Sequence, residues 1–582
     1  MYILGLNAYH ADAAAALFKD GHLLGAVAEE RLDRRKHCAG FPGRAIKLLL
    51  EKAGIGAAEL DHVAVSRDPL ASLGRKVAFV LGRGADSAQL VLHRLQTASR
   101  VRGLPETLAA ALGVPTASLR ARFHHVEHHR AHLASAFFMG GMEDAACLSI
   151  DGFGDFTSTM TAVGRRHGLE VLDRVPFPHS AGLFYTAVTQ FLGFPAWGDE
   201  WKLMGLAPYG QPVFREQLWR LVRLLPRGRF ELDLQYFTHY VDGARMSWEE
   251  GAPTLGRTWS DRLMDLLGPP RDPASGDYLG HWADIAASAQ AVYEETLFHV
   301  LAHLHDVTGL PRLCLAGGCA LNCVANGKIP ECTPFRDVFI PPAPGDDGTA
   351  LGAAAYVAFN LLSLPRQERM EHAFTGPEYG EEAVAAALTA ADLGSAVTVT
   401  RLQDDALCRR TAQALADGRI LGWFQGRMEF GPRALGNRSI LADPRRADVK
   451  DTLNRRIKQR EAFRPFALSV LEEAAPDVLQ RAETSPFMLR VFTVAEPWRA
   501  RIPAVTHVDH GARVQTVNAR DNPRFHALIG AFRELTSVPV LLNTSFNEQE
   551  PIVMDPPQAL ACFARTRMDA LVIGNHYLER RA

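Results

Sequence analysis

The stretch Val126-Glu-His-His-Arg-Ala-His-Leu-Ala-Ser-Ala-Phe-Phe138 places two imidazoles, those of His128 and His132, four residues apart ahead of a small and apolar run. The run predicts a helix, and residues four apart share one helix face. Because neutral imidazole is the commonest nitrogen ligand for transition metals, this face can hold one ion. Surface histidines ahead of a buried helix are an equally good interpretation of the spacing alone.

Two carboxylate-bearing turns follow predicted apolar strands. The first, Asp151-Gly-Phe-Gly-Asp155, comes directly after the strand predicted from Cys147 to Ile150. The second, Gly345-Asp-Asp-Gly348, precedes a small-residue helix predicted from Leu351 to Phe359. A carboxylate at a strand end can supply a hard oxygen ligand. Asp346 would therefore complete a site of two histidines and two aspartates.

Two segments of the chain share one plan of strand, polar turn, return strand and hairpin. Residues 2 to 30 contain predicted strands from Tyr2 to Leu6, Ala13 to Phe18 and Leu23 to Ala28. Residues 145 to 175 repeat the plan, with a return strand from Ser158 and a hairpin turn at His167-Gly168. The repeat predicts a duplicated nucleotide-binding fold with its ligand between the halves. Chance similarity of two hairpins is the alternative.

Two further runs are predicted to line the cleft of such a fold. A strand beginning at Leu313 ends in the paired glycines Gly317-Gly318, which allow close approach of a nucleotide. The run from Gly198 to Gly210, with Glu200 and Lys202, is predicted to form a loop and a short helix. A solvated turn is an equally good interpretation of the charged pair.

Length and composition limit the class of protein. A chain of 582 residues implies two or more domains, and a formal charge of −2 provides no general basic field for nucleic acid. We see no basic leader segment and no apolar run of membrane length, so we expect a cytoplasmic protein. The eight cysteines form no Cys-x-x-Cys pair and are expected to be reduced and buried. The oligomeric state is left open, and a homodimer is one state that the sequence allows.

A second unit is predicted beyond a breaker-rich boundary within residues 365 to 400. Its turns are rich in basic residues among apolar neighbours, namely Arg433, Arg438, Lys458, Arg464 and Arg513. The planar guanidinium binds phosphate oxygens in pairs, and a charge among apolar residues usually needs a counter-ion. These residues therefore predict an oligophosphate site, with an ordinary solvated surface as the alternative.

An ordered set of motifs resembles the O-carbamoyltransferase family over nearly the whole chain. The motifs are the His10 turn, His128-x-x-x-His132, Asp151-Gly-x-Gly154, the run Glu200-x-Lys202-Leu-Met-Gly-Leu-Ala-Pro-Tyr-Gly210, Gly317-Gly-Cys-Ala-Leu-Asn322, Gly345-Asp-Asp-Gly348, Gly431-Pro-Arg-Ala-Leu-Gly-Asn-Arg-Ser439, Phe463-Arg-Pro-Phe466 and Leu542-Asn-Thr-Ser-Phe-Asn547. This family includes the NodU nodulation proteins and the carbamoyltransferases that modify aminoglycosides, cephems and ansamycins in antibiotic biosynthesis.

The resemblance implies an α/β architecture of two domains. Residues 1–375 would form a duplicated actin-like ATPase fold, similar to the transferase that threonylcarbamoylates tRNA, with an iron-type divalent metal for which Zn²⁺ or Mn²⁺ are alternatives. Residues 376–582 would form an α+β YrdC-like domain. That domain would convert carbamoyl phosphate and ATP with Mg²⁺ to carbamoyl-adenylate, releasing phosphate and pyrophosphate. The larger domain would pass the carbamoyl group to a hydroxyl of a small molecule.

The resemblance also implies residue roles. The metal ligands would be His128, His132, Asp151 and Asp346. Carbamoyl phosphate and ATP would meet Lys458, Arg464, Arg513 and Asn543, with Arg433, Arg438 and Ser439 nearby; Lys458 and Arg464 would act in catalysis. Asn322 and the Gly317-Gly318 turn would hold the adenylate, and Asp12, Glu200 and Lys202 would line its cleft. His10 would be the acid/base or positioning group beside the acceptor hydroxyl.

Three alternatives remain beside this interpretation. A tRNA threonylcarbamoyl transferase shares the larger fold, but the near-neutral charge and the fused arginine-rich domain argue against a nucleic-acid partner. A hydrogenase-maturation carbamoyltransferase would carry zinc fingers with Cys-x-x-Cys pairs. A nucleotide-gated binding module would need no catalytic constellation.

The acceptor has no signature in the sequence. Loops within residues 70–120 and 212–280 are expected to select it, because loops over the cleft set specificity in such folds. Six aromatic residues in the second region can stack on an acceptor or pack in the core, namely Trp219, Tyr236, Phe237, Tyr240, Trp248 and Trp259.

Overall fold

A computed structural model describes residues 1–83, 100–166, 168–242, 246–247, 253–366, 368–391, 393–394, 397–458 and 460–581. The chain divides into two compact units, Met1–Met370 and Glu371–Ala582. The predicted boundary, between residues 375 and 376, lies five residues further along the chain. Both units are α/β with mixed sheets. Within the described ranges, no helix has the length and apolar character needed to cross a membrane.

The first unit begins with a five-stranded sheet. Its strands are β1 (Tyr2–Asn7), β2 (Ala14–Lys19), β3 (His22–Ala28), β4 (Leu60–Val65) and β5 (Arg122–His125). They lie in the order β3-β2-β1-β4-β5, with β1, β2 and β3 antiparallel and β1, β4 and β5 parallel. The central strand is almost wholly buried, as its apolar sequence predicts.

A second sheet of the same unit repeats this topology. Its five strands are β6 (Ala145–Gly154), β7 (Thr157–Arg165), β8 (Gly168–Pro176), β13 (Arg312–Ala316) and β14 (Asp337–Phe339). Between β8 and β13 the chain forms two separate two-stranded hairpins, β9 (Val222–Leu225) with β10 (Arg229–Leu232) and β11 (Met246–Ser247) with β12 (Thr254–Leu255). The order β14-β13-β6-β7-β8 matches the first sheet strand for strand. The predicted duplication is therefore present, and the predicted turn residue His167 lies outside the described residues.

Helices connect and cover these two sheets. They are Glu30–Asp33, Gly43–Ala53, Leu73–Arg83, Leu104–Leu112, His128–Met139, Ala181–Phe191, Glu200–Leu206, Arg215–Leu218, His239–Asp242, Met264–Leu267, His281–Thr308, Cys323–Cys332 and Gly348–Ala355. A side chain at Gly352 would place its Cβ 1.8 Å from the Ala131 carbonyl oxygen, so the helices that contain these two residues cross in close contact.

The second unit is built on a nine-stranded mixed sheet. Its strands are β15 (Val397–Arg401), β16 (Leu421–Phe424), β17 (Arg438–Ala442), β18 (Ala467–Leu471), β19 (Val491–Thr493), β20 (Gly511–Val517), β21 (Val540–Ser545), β22 (Ala570–Ile573) and β23 (His576–Arg580), in the order β15-β23-β22-β16-β17-β21-β18-β20-β19. Its helices are Glu381–Ala390, Asp404–Ala416, Val449–Leu453, Ala475–Val478, Glu496–Arg499, Pro523–Thr536 and Pro556–Arg565. Strands and helices share one apolar core.

Candidate functional site

Four side chains from three strand ends meet in the first unit. His128 and His132 lie on the helix that follows β5, Asp151 at the irregular end of β6, and Asp346 in the turn after β14. The Nε2 atoms of the two histidines lie 3.0 Å apart. Nε2 of His128 lies 3.1 Å from Oδ2 of Asp151 and 3.4 Å from Oδ1 of Asp346. One candidate ligand atom from each of the four residues lies within 4.8 Å of the others.

Burial and charge make this cluster a good fit for a divalent metal. All four side chains are buried, which is costly for carboxylates unless they are neutralised. Burial lowers the pKa of His128, but hydrogen bonds with Asp151 and Asp346 outweigh it and raise that pKa to about 10. A proton thus serves as counter-ion, and a metal ion would take its place. Two imidazole nitrogens with two carboxylate oxygens suit iron, zinc or manganese.

Asp155 positions the helix that carries both histidines. Its Oδ2 accepts hydrogen bonds from the backbone N–H groups of His128 and Asp68, each at 2.9 Å. The backbone N–H of Gly318 donates to Oδ1 of Asp151 at 3.0 Å, so the paired-glycine turn lies against the cluster. We did not predict a role for Asp155. The sequence feature that could have indicated this role is the position of Asp155 as a second carboxylate in the same turn as Asp151.

His129 has a structural role although it lies between the two candidate ligands. Its Nε2 donates to the Thr157 carbonyl at 2.9 Å, and the Ser149 hydroxyl lies 2.9 Å from its Nδ1. Burial, together with the neighbouring His128 and His132, lowers the pKa of His129 to about 3. It is therefore neutral and fixes the helix to β6 and β7.

Gly154 leaves the space that the His128 ring occupies. A Cβ at this position would lie 1.9 Å from Cδ2 of His128. We expect Gly154→Ala to displace the imidazole, to destabilise the protein by about 1–3 kcal/mol and to lower metal affinity by at least about 10-fold. Metal analysis after dialysis measures the loss of metal affinity, and thermal melting measures the loss of stability.

Gly152→Ala is the matched control in the same turn, because its Cβ would make an ordinary 3.7 Å contact with Leu183. Equal metal content in the two variants would contradict the packing argument.

The structure brings His10 to the edge of this cluster. Its Nδ1 lies 2.5 Å from Oδ2 of Asp346, and its ring centroid lies 5.3 Å from that of His128. A carboxylate beside Nδ1 favours the tautomer whose Nε2 is free to accept a proton. This arrangement suits the predicted acid/base role.

Asp12 belongs to a second group of charged residues. Its Oδ1 lies 2.8 Å from Nδ1 of His37, and Oε2 of Glu30 accepts a hydrogen bond from the His37 backbone at 2.8 Å. The other oxygen of Glu30 pairs with Arg31. Burial lowers the pKa of His37, but Asp12 and Glu30 raise it to about 9. Asp12, Glu30 and His37 also have metal-ligand spacing, yet the His37 imidazole already pairs with Asp12, and Glu30 is already bonded by Arg31 and by the His37 backbone.

Glu200 and Lys202 lie on the short helix that we predicted. The Thr186 hydroxyl donates to Oε1 of Glu200 at 2.6 Å, and burial raises the pKa of Glu200. Nζ of Lys202 lies 2.8 Å from Oδ1 of Asp199. Their roles at the cleft stay predictions.

Asn322 begins the helix that follows the paired glycines. Its Oδ1 accepts hydrogen bonds from the Ala325 backbone at 3.0 Å and from Nε2 of Gln290 at 3.1 Å. Its Nδ2 donates to Oε1 of Gln290 at 3.0 Å. A contact with adenylate would require these bonds to rearrange, because both ends of the amide are in use.

In the second unit, one face of the sheet carries a row of buried polar side chains. Residues paired across strands point to the same face, and the pairs are Ser439 with Ser545, Ala467 with Asn543, and Ser469 with Gln515. Nδ2 of Asn543 donates to Oγ of Ser469 at 3.0 Å. Oδ1 of Asn543 is buried and has no hydrogen-bond partner among the described residues. We did not predict Ser469 or Gln515.

Lys458 is buried at the end of a π-helical turn, Asn454–Lys458. Its Nζ donates to the Ser545 carbonyl at 2.6 Å, the Asn547 carbonyl at 2.8 Å and Oδ1 of Asn547 at 2.7 Å. The ammonium group is thus held beside the polar sheet face by neutral oxygens.

Three guanidinium groups crowd together in this unit, those of Arg460, Arg464 and Arg513. Burial and the charges of Arg464 and Arg513 lower the pKa of Arg460 to about 9. Arg464 forms an ion pair with Glu461. Three like charges, of which Arg464 is paired with Glu461, favour a bound anion. Sequence reasoning missed Arg460, although it lies two residues after Lys458, and Gln459 between them is outside the described residues.

Arg438 occupies a different environment from the one that we predicted. It is wholly buried, and its Nε, Nη1 and Nη2 donate to the carbonyls of Met554, Gln425 and Gly426. Its guanidinium lies 3.7 Å from the ring centroid of Phe424. Burial lowers its pKa to about 10. These bonds hold the loop after β16, and a phosphate contact would require them to be exchanged.

Two other predicted anion-site residues lie in the turn between β16 and β17 or beside it. The backbone N–H of Gly436 donates to Oγ of Ser439 at 3.0 Å, and Arg433 is half-buried. Their binding roles stay predictions.

Most of the described aromatic candidates for acceptor stacking pack in the core. Tyr236, Phe237 and Trp259 are buried, and the Trp259 ring lies 5.1 Å from that of Phe191 in an edge-on contact. Trp248 lies outside the described residues, as do 84–99 in the first predicted loop region.

The chain resembles known proteins in both units. Residues 2–355 match the family model described as carbamoyltransferase N-terminus, and residues 412–580 match carbamoyltransferase C-terminus. The chain is 39% identical to an uncharacterized protein of Synechocystis over 100% of this chain and 97% of that one. It is 39% identical to the nodulation protein NolNO of Sinorhizobium fredii, over 99% and 80% of the two chains.

Shorter or more distant relatives complete this comparison. The nodulation protein NolO of Bradyrhizobium diazoefficiens is 40% identical over 78% of this chain and 79% of its own. Among solved structures, that of HypF from T. kodakarensis has a TM-score of 0.31 at 14% identity, over 62% of this chain and 48% of that one. A likeness of that size supports no conclusion about function.

Proposed function

This chain belongs to the carbamoyltransferase family and is a transferase, and from that premise we propose that it is an ATP-dependent O-carbamoyltransferase of small molecules. The observation that carries the proposal is that each unit holds its own charged site. One is the buried cluster of His128, His132, Asp151 and Asp346 beside His10, and the other is the arginine cluster on the polar sheet face.

The second unit is assigned the activation step. Carbamoyl phosphate, ATP and one water would give carbamoyl-adenylate, phosphate and pyrophosphate; the water releases phosphate from carbamoyl phosphate, and the resulting carbamate oxygen displaces pyrophosphate from the α-phosphorus of ATP. Arg460, Arg464 and Arg513 suit this step because fixed guanidinium groups offset the charge that builds on phosphoryl oxygens. Lys458 and the free Oδ1 of Asn543 would orient the carbamoyl-bearing substrate. We assign this unit to the YrdC-like class on the same grounds.

The first unit is assigned the transfer step. Its duplicated topology supports a fold of the actin-like ATPase type, which binds its ligand at the strand ends. The acceptor hydroxyl gives its proton to Nε2 of His10 and attacks the carbamoyl carbon, and the carbon–oxygen bond to AMP breaks. Asp346 orients His10 for this proton transfer. Formation and use of the labile adenylate in one chain limit its hydrolysis.

The buried cluster would hold the divalent metal of this step through His128, His132, Asp151 and Asp346. When bound, such an ion supplies Lewis-acid stabilisation of negative charge. Ferrous iron is our first assignment, and the donor set also accommodates zinc or manganese.

The direct test measures phosphate and pyrophosphate release from ATP, Mg²⁺ and carbamoyl phosphate, first without acceptor and then with a panel of hydroxylated natural products. Release that requires carbamoyl phosphate supports the activation step, and stimulation by an acceptor supports transfer. Absence of release from folded, metal-loaded protein would refute the proposal.

His10→Asn separates the two steps. We expect it to lower carbamoyl transfer by about 10²–10⁴-fold, because a proton acceptor is removed from the reacting hydroxyl. Carbamoyl-phosphate-dependent exchange of pyrophosphate into ATP should stay at the wild-type rate. His22→Asn is the control, since His22 is exposed on β3. Loss of both activities in the His10 variant would remove the role assigned to it.

A further inference from the structure

One strand end of the first unit has no role in the function proposed above. The repeat matches β1 with β6, β4 with β13, and β5 with β14. Residues of the candidate site lie in the turns after β1, β6, β13 and β14 and in the helix after β5. The turn after β4, Ser66-Arg-Asp-Pro69, is the equivalent of the paired-glycine turn after β13, and it carries an arginine.

Arg67 in this turn contacts the main chain next to His10. Its Nη1 donates to the Tyr9 carbonyl at 2.8 Å, directly before His10. The next residue, Asp68, donates its backbone N–H to Asp155, which also holds His128. The turn is thus fixed to both halves of the site.

The guanidinium of Arg67 retains donors for a ligand. Burial lowers its pKa, while the charges of Asp155 and Asp346 oppose that effect. Within the described residues, no carboxylate oxygen lies within ion-pair distance of it, and its guanidinium donates to one acceptor, the Tyr9 carbonyl. The main chain of the His10 turn is strained, with Tyr9 at φ 60° and Asp12 at φ 56°, as is typical of functional sites.

We infer that Arg67 is a catalytic residue that binds the phosphate of the adenylate in the first unit. This inference rests on the proposed function. When the acceptor oxygen bonds to the carbamoyl carbon, the electron pair of the broken carbon–oxygen bond stays on the phosphate of AMP. A guanidinium beside His10 stabilises that charge by charge-assisted hydrogen bonds.

The test compares binding of AMP with binding of adenosine, so it needs no acceptor. It uses the full-length, metal-loaded chain carrying Arg513→Gln, which weakens phosphate recognition in the second unit and so lowers its share of the measured binding. We expect Arg67→Gln to weaken AMP binding by about 10–100-fold and to leave adenosine binding unchanged. Gln retains a donor for the Tyr9 carbonyl, and metal content and thermal melting verify the fold.

Two further variants sharpen the result. Arg67→Lys keeps the charge and should recover part of the AMP affinity. Arg122→Ala, at an exposed position on β5, should behave as the parent chain. The inference is wrong if the parent chain does not prefer AMP to adenosine, or if Arg67→Gln keeps that preference. The proposed function is tested by a separate measurement on the wild type, the release of pyrophosphate that depends on carbamoyl phosphate.

Discussion

Replacing His132 by alanine is expected to remove the bound divalent metal and to lower carbamoyl transfer by about 10³-fold or more, beyond the 10–100-fold loss typical of outer-shell partners. His132 is wholly buried, and its Nε2 lies 3.0 Å from that of His128, 3.4 Å from Oδ2 of Asp151 and 3.6 Å from Oδ1 of Asp346. Its removal leaves one imidazole with two carboxylates that repel each other. Metal analysis after dialysis reports occupancy, and acceptor-dependent product formation reports transfer.

Two neighbouring histidines, one on the same helix and one on β5, supply controls for this result. His129→Asn breaks the contacts with Ser149 and Thr157 and should lower the thermal midpoint while keeping the metal. His125→Ala alters an exposed position on β5 and should change neither quantity. Pyrophosphate exchange should persist in His132→Ala, since it is assigned to the other unit. A His132 variant with full metal content would show that this cluster is not the metal site.

The positions of the candidate ligands could be predicted because strand ends are visible in the sequence. Asp151 and Asp346 each follow an apolar run and stand beside glycine, and His128 and His132 have helical spacing. Parallel strands of one sheet bring their carboxyl ends to the same edge. This rule covers Asp151 and Asp346, which follow strands of the second sheet. His128 and His132 follow β5 of the first sheet, and the predicted duplication, with its ligand between the halves, brings them to the same site.

Burial and hydrogen-bond partners could not be predicted in this way. Arg438 stands in a glycine-rich motif beside Arg433, but the structure buries it entirely against main-chain carbonyls, whereas Arg433 is half-buried. Asp155 and Gln515 contribute through contacts made by residues distant in sequence. Such contacts depend on strand register and helix crossing, which a local pattern does not contain.

Arg513→Gln is expected to lower carbamoyl-phosphate-dependent pyrophosphate release by about 10²–10³-fold, the cost of removing one preorganised donor from a charged transition state. The same change should leave the thermal midpoint equal or higher in the absence of ligand. Arg513 shares its site with Arg460 and Arg464, and its charge lowers the pKa of Arg460, which shows that the groups repel. Its Nε is buried and lacks a hydrogen-bond partner within the part of the chain that the structure describes.

Thermal melting with inorganic phosphate separates binding from structural damage. An anion that binds only the folded state stabilises it by RT ln(1 + [L]/Kd), so phosphate should raise the midpoint of the wild type more than that of Arg513→Gln. Arg409→Gln, at an exposed position on the helix Asp404–Ala416, should retain both activity and the phosphate response. A large fall in the ligand-free midpoint of Arg513→Gln would instead give this arginine a structural role. In that case the anion site would have to rest on Lys458, Arg460 and Arg464 alone.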